Sequence, residues 1–203
     1  MTPGGAGGKA MTGALAEYLD AAAGLLRETA GAGLDRPVAA AVAAISTALA
    51  AGKPLLVCGN GGSAADAMHI AGELVGRYRL ERPGLKAIAL GADAAVTTAW
   101  ANDYDFETVF ARQVEALGEA GGVVWAISTS GESANVVRAL EAAHARAMTT
   151  VALTGAGGGR LAALADVLIA VPSRDTPRVQ EVHTCLYHFI CEQVERRIAG
   201  AAG

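Results

Sequence analysis

The sequence predicts an α/β fold: a five-stranded parallel, doubly wound sheet, preceded by two helices and closed by one long helix. Three observations carry that reading. Short apolar runs with little alternation recur at residues 55–58, 87–90, 123–127, 150–153 and 167–171, as strands buried on both faces do. Segments with apolar residues at helical spacing separate those runs, and a helix between strands is the connection that parallel pairing needs. Glycine or hydroxyl clusters follow the first, third and fourth runs, where such sheets place their ligand-binding loops.

Taken in order, residues 1–9 are rich in glycine and expected to be disordered. Residues 10–203 are expected to make one domain, because a chain of 203 residues suffices for one ordinary core and is short for two. Apolar residues recur at helical spacing from 11 to 29 and from 35 to 51, with Asp35 as N-cap of the second helix and Gly52 as its stop. Neither helix connects two strands, so both must pack on the flank of the sheet or on another subunit. Further helices are expected near 64–78, 94–118, 133–147 and 159–165, and the last over 177–199. Hydrophobic residues make up 52% of the chain but aromatics only 4%, so Ala, Val, Leu and Ile must build the core.

The net charge of −4 arises from 16 basic and 20 acidic residues without a run of Lys or Arg, which argues against a nucleic-acid surface. Cys58, Cys185 and Cys191 show no metal-ligand spacing and read as reduced cytosolic thiols. No apolar run approaches the roughly 18 residues of a membrane span, and the first ten residues lack the apolar stretch of a signal peptide. A cytoplasmic protein with neither membrane nor nucleic acid as partner is the expectation.

Residues 54–78, PLLVCGNGGSAADAMHIAGELVGRY, constrain function most. A buried strand runs into Gly59-Asn60-Gly61-Gly62-Ser63 and then into a helix. Glycines admit a ligand close to the backbone, and the unpaired N–H groups of a helix's first turn attract anions. The loop around Gly61 is therefore expected to face a phosphate or another acidic group. His69 and Glu73 follow at i and i+4 on one helix face, with Arg77 one further step along. An imidazole and a carboxylate thus project together near an anion-binding loop. A plain surface ion pair has the same spacing, and Gly59-x-Gly61-x-x-Ala64 also fits the loose dinucleotide fingerprint.

The third apolar run ends in Ser128-Thr129-Ser130-Gly131-Glu132-Ser133, ahead of a helix. Four hydroxyl residues in six positions offer O–H and N–H donors to one anion, a cradle for a phosphate monoester without a lysine. The plainer alternative is a Ser/Thr N-cap on a flexible turn. No G-K-[ST] triplet makes either loop a nucleotide P-loop, and the glycine loop at 155–159 reads as a wide turn. On the last helix stand Gln180, Glu181, His183 and His188. The two histidines differ by about 140° around the helix with Gln180 between them, so one can join Gln180 in a site while the other packs. Periodicity does not choose.

In order, CGNGGSAADAMH, the following Glu-Leu-x-Gly-Arg-Tyr, Ala101-Asn102-Asp103, the STSGxSxN loop, LTG and RVQEVH resemble the phosphoheptose isomerases of the sugar-isomerase (SIS) domain superfamily, over residues 15–198. The resemblance implies a flavodoxin-like strand order and a homotetramer with each active site at a subunit interface. It implies conversion of a sugar phosphate, sedoheptulose 7-phosphate, to D-glycero-D-manno-heptose 7-phosphate through an enediol. Glu73 and His188 are its implied acid/base pair, so it favours His188 over His183. His69, Glu73, Gln180 and His188 are its implied metal ligands, with zinc the expected ion. Substrate contacts carry over to Asn60, Gly61, Ser63, Arg77, Asn102, Asp103 and Gln180 and, around the phosphate, to Ser128, Thr129, Ser130 and Ser133.

The residue types suit that chemistry. A carboxylate and an imidazole near adjacent carbons can move a proton between them without an organic cofactor, and a gripped phosphate fixes which carbons they meet. Two positions depart from the family pattern. Glu132 replaces the asparagine often found in the serine loop and is expected to point to solvent at a helix N-terminus. Pro177 replaces an acid of some relatives, with Asp175 and Thr176 as the nearby substitutes. The alternative is a non-catalytic protein of the same fold, a sugar-phosphate sensor or a replication-initiator-associating scaffold, neither of which needs Glu73 and His188 together.

Overall fold

The computed structural model describes residues 13–201, so the expected disorder of residues 1–9 lies outside it. Strands β1 (Leu55–Gly59), β2 (Ala87–Ala89), β3 (Val123–Ser128), β4 (Thr149–Thr154) and β5 (Val167–Ala170) form one parallel sheet in the order β2-β1-β3-β4-β5. That is the flavodoxin-like order. From β1 the chain winds first to β2 and then back past β1 to β3, so the carboxyl ends of β1 and β3 flank the crevice where such sheets bind ligands.

Helices α1 (Ala14–Ala30) and α2 (Asp35–Ala50) precede the sheet; α3 (Gly62–Val75), α4 (Ala94–Asp103), α5 (Val109–Leu117) and α6 (Ala134–Ala145) lie between strands, and α7 (Thr176–Ala201) closes the chain. Alternate strand residues feed two cores, as the period-2 geometry of a strand requires. Leu55, Val57, Trp125 and Leu153 pack with α2, α3 and α7, and Leu56, Cys58, Val124 and Ala152 pack with α5 and α6. The sheet is covered on both faces. Burial pushes the thiols of Cys58 and Cys191 up to about 12, and all three cysteines are free.

Three helix expectations are corrected. Asp35 is the first residue of α2 and not its N-cap, a position that Leu34 takes without a side-chain hydrogen bond. The segment 94–118 is two helices, because the Asp105 carboxylate accepts from the Thr108 N–H at 2.7 Å and from its hydroxyl at 2.9 Å and restarts the chain into α5. Segment 159–165 is a 3-10 turn, Gly159–Ala163. Helix α1 buries only Leu25 and Thr29. It docks on α7 through Tyr18, whose ring centre lies 3.5 Å from the Arg178 guanidinium and whose hydroxyl donates to Glu181 at 3.1 Å. Among the described residues no single helix is long and apolar enough to cross a membrane.

A buried ion pair joins α3 to α7 through the loop that follows α3. The Arg82 and Glu195 side chains are 2% and 1% exposed, with Nε and Oε1 3.3 Å apart. Glu195 accepts the backbone N–H groups of Tyr78, Arg79 and Leu80 at 2.9, 2.7 and 2.9 Å. Arg82 donates to the carbonyls of Glu73, Leu74, Gly76 and Pro83 at 2.9, 2.8, 3.1 and 3.1 Å. The first two of these are carbonyls of the last turn of α3, which have no partner within the helix. Burial alone would raise the Glu195 carboxyl; the three N–H donors and Arg82 outweigh it and hold the group below its ordinary range.

A carboxylate lowered on folding stabilises the protein above its unfolded pKa, and that contribution is lost as pH falls through the folded value. Glu195→Ala leaves Arg82 buried and unpaired, which costs about 3–5 kcal/mol. Urea unfolding at pH 7 should show that loss, and the gap between wild type and variant should narrow as pH falls below the ordinary glutamate value of 4.5.

Candidate active site

The loop after β1 is shaped by close approach. A Cβ on Gly59 would lie 2.6 Å from the Ser63 carbonyl oxygen, and Gly61 takes φ 54°, which favours glycine. Ser63 is buried, and its N–H donates to the Asn60 carbonyl at 2.9 Å. Across the crevice, Asn60 and Asn135 of α6 exchange two hydrogen bonds, each Nδ2 donating to the other's Oδ1 at 2.8 Å. This amide pair ties the loop after β1 to the loop after β3. Asn135 was not among the candidate residues, although it is the last position of the STSGxSxN motif.

In the serine loop the Ser128 and Ser133 hydroxyls are 3.1 Å apart, and Ser128 Oγ accepts the Gly131 N–H at 3.2 Å. Ser130 Oγ accepts the Glu132 N–H at 3.1 Å, and Thr129 Oγ1 lies 3.4 Å from Thr176 Oγ1. The third glycine loop is more than a wide turn. A Cβ on Gly131 would collide with the Gly158 carbonyl, and one on Gly159 would lie 2.6 Å from Glu132 Oε1. Glu132 is exposed with its carboxylate against that loop. The Gly155 N–H donates to the Thr129 carbonyl at 3.0 Å and the Ala156 N–H to the Ser173 carbonyl at 2.8 Å, so the ends of β3, β4 and β5 are stitched together.

His69 and Glu73 of α3 meet His188 of α7. His69 Nε2 lies 3.0 Å from Glu73 Oε1 and 3.4 Å from His188 Nε2, and the Tyr187 hydroxyl is hydrogen-bonded to His69 Nδ1 at 2.9 Å. Ligand atoms of His69, Glu73 and His188 all lie within 4.8 Å of one another. Burial first, then His69, holds the His188 imidazole below its ordinary range against the pull of Glu73. The Tyr78 ring lies 5.8 Å from that of His188, on the loop that Glu195 holds. Burial raises the Asp66 carboxyl one turn before His69, while His69 and Tyr187 pull it down. Asp66 and Tyr187 were absent from the candidates; the i, i+3 spacing of Asp66 to His69 was the one available signal.

The ambiguity between the two histidines of α7 is resolved by packing. His183 is buried, and its Nε2–H donates to the Thr154 carbonyl at 3.1 Å in the core. Other candidates stand apart from the trio. The Gln180 amide rests against Gly62, where a Cβ would lie 2.6 Å from Nε2, and Gly62 precedes His69 by about 10 Å of helix. Asn102 donates to Asp103 at 2.9 Å on exposed α4, and Asp103 borders a hollow with Trp100 and Arg112. Arg77 is exposed and pairs with Glu81 at 3.0 Å.

The SIS domain family matches residues 17–155. The phosphoheptose isomerase of Crocosphaera subtropica is 56% identical over 153 residues, 75% of this chain and 78% of that protein. That of Methylibium petroleiphilum is 51% identical over 178 residues, 86% of this chain and 89% of its own. The solved phosphoheptose isomerase of Neisseria gonorrhoeae superposes with a TM-score of 0.85 at 41% identity, covering 91% of this chain and 98% of the other. The sugar isomerase domain of an RpiR transcription factor from Sphaerobacter thermophilus, 18% identical with a TM-score of 0.65 and 93% of each chain covered, shares the fold alone.

Burial lowers His183 from the ordinary 6.5 to about 4, with the bond to Thr154 opposing the shift. The unfolded chain therefore takes up this proton first, so stability is full above about 6.5 and declines as pH falls towards 4. NMR titration of the ring protons should find His183 still neutral at pH 5, and His183→Gln should flatten the loss of stability between pH 6.5 and 4.

Proposed function

The chain belongs to the phosphoheptose isomerases, a family of SIS domain proteins, and from that premise we propose that it converts sedoheptulose 7-phosphate to D-glycero-D-manno-heptose 7-phosphate. The observation that supports the mechanism is the meeting of Glu73 and His188, from different helices, in one open cluster with His69. The Glu73 carboxylate takes a proton from C1 of the ketose, and the electron pair forms the enediol. The same proton, or one exchanged with water, returns at C2 to give the aldose. The His188 imidazole, held neutral by its surroundings, passes a proton between the oxygens on C1 and C2.

Ser128, Thr129, Ser130 and Ser133 grip the phosphate and so fix which carbons face Glu73. Asn60, Gly61, Ser63 and Gln180, gathered at the first loop, contact the sugar hydroxyls. Arg77 turns from its exposed pair with Glu81 to meet the substrate. Two imidazole nitrogens and a carboxylate oxygen at this spacing suit zinc, and an ion held by His69, Glu73 and His188 would polarise the substrate carbonyl. Gln180, against Gly62, is assigned to the substrate before the ion.

The site belongs at an interface of a homotetramer. Met68 and Phe189, neighbours of His69 and His188, are half exposed at 50% and 51%, and apolar surface of that kind is commonly covered by a partner. The Asn102–Asp103 pair, apart from the trio in one protomer, fits a contribution to a neighbour's site. Free cysteines fit a cytoplasmic location.

Proton NMR of sedoheptulose 7-phosphate with the purified protein tests the assignment. Wild type should generate an aldose anomeric signal, and Glu73→Gln or His188→Asn should slow its appearance roughly 10²–10⁴-fold. Unchanged turnover in Glu73→Gln would remove that residue from the chemistry. A folded wild type that binds the sugar phosphate without converting it would be a sensor.

A further inference from the structure

We propose that Arg174 is the cation that the substrate's phosphate meets, a charge-recognition residue at the rim of the serine loop; this rests on the isomerase reading above. Thr129, Ser130, Glu132, Thr176 and Arg174 share a cavity of about 420 Å³ with the glycine loop after β4. Arg174 is the one basic residue among those that line it. Hydroxyl and backbone donors orient a phosphate monoester but leave its charge, between −1 and −2 at neutral pH, uncompensated. Glu132 adds a carboxylate to the same wall and would repel the ligand. Arg174 brings that wall to neutrality before the phosphate arrives and supplies the attraction that the hydroxyls lack.

The backbone around Arg174 is fixed while its side chain is free. The Ser173 N–H donates to the Val171 carbonyl at 2.8 Å, the Ser173 carbonyl accepts from Ala156 at 2.8 Å, and the Asp175 N–H donates to Ser173 Oγ at 3.2 Å. The exposed guanidinium takes part in none of the ion pairs among the described residues. Its neighbour Arg178 is not available in the same way, since it is held by Glu181 at 2.8 Å and by the Tyr18 ring. An arginine fork meets two phosphate oxygens at once, which a lysine cannot reproduce. Arg174 stays hydrated in the empty protein and closes over the phosphate when the sugar binds.

Calorimetric titration with inorganic phosphate and steady-state kinetics on Arg174→Ala, Arg174→Lys and Glu132→Gln, each first checked for native circular dichroism, test this. Arg174→Ala should weaken phosphate binding and raise KM roughly tenfold while kcat stays within about twofold. Arg174→Lys should recover part of the loss, Glu132→Gln should shift both quantities the other way, and added salt should shrink all three effects. Unchanged phosphate affinity and KM in a folded Arg174→Ala, or no phosphate binding by wild type, would overturn the role of Arg174 and leave the isomerase reading standing. Arg174-dependent phosphate binding by a wild type that converts no sugar would instead sink the isomerase reading and keep this site.

Discussion

The buried pair of Arg82 and Glu195 is the constraint on which the geometry of the site depends. Two charges removed from water are tolerable only if they are well partnered, and here three N–H groups surround Glu195 and four carbonyls surround Arg82, whose Nε has the ion-pair contact to Glu195 alone. One of those carbonyls belongs to Glu73 itself. Glu195 lies on α7 about two turns beyond His188. The interaction that ends α3 therefore also sets the separation of the carboxylate and the imidazole. The loop it holds brings Tyr78 beside His188, so a single polar contact in the interior reaches the chemistry from two directions.

The other half of the site is built from backbone. Parallel strands end side by side, and the loops after β1 and β3 face each other where the winding reverses. Asn60 and Asn135 lock them together through paired amides, while Gly59, Gly131 and Gly155 permit approaches that any side chain would block. The serine loop is thus held by its neighbours on either side. The His69, Glu73 and His188 cluster is more open, with His69 exposed and the other two half-buried.

Elements with a one-dimensional signature were legible in the sequence. The five apolar runs became the five strands, because burial on both faces demands unbroken apolar stretches, and the glycine and serine loops became the ends of β1 and β3. The break between α4 and α5 escaped because one Asp105 carboxylate decides it. The choice between His183 and His188 escaped periodicity because it depends on which side of α7 meets the Thr154 carbonyl. Arg82, Glu195, Asn135 and Tyr187 meet partners 75 or more positions away, and of the four only Asn135 belongs to a local pattern, the end of the STSGxSxN motif. Gln180 and Asn102 show the opposite case, where a motif names residues that the fold of the chain does not bring to the trio.

The central claim is that Glu73 removes a carbon-bound proton and an enediol carries it to the neighbouring carbon. Conversion of sedoheptulose 7-phosphate in deuterated water, with the product's C2 position read by mass spectrometry and NMR, tests it most directly. Deuterium at C2 of part or all of the aldose is the predicted result, because the proton on Glu73 can exchange with solvent before it is returned, together with a loss of conversion in Glu73→Gln. Aldose with only protium at C2, formed at the full rate by both wild type and Glu73→Gln, would contradict the account, since hydrogen would then move between the carbons without passing through Glu73.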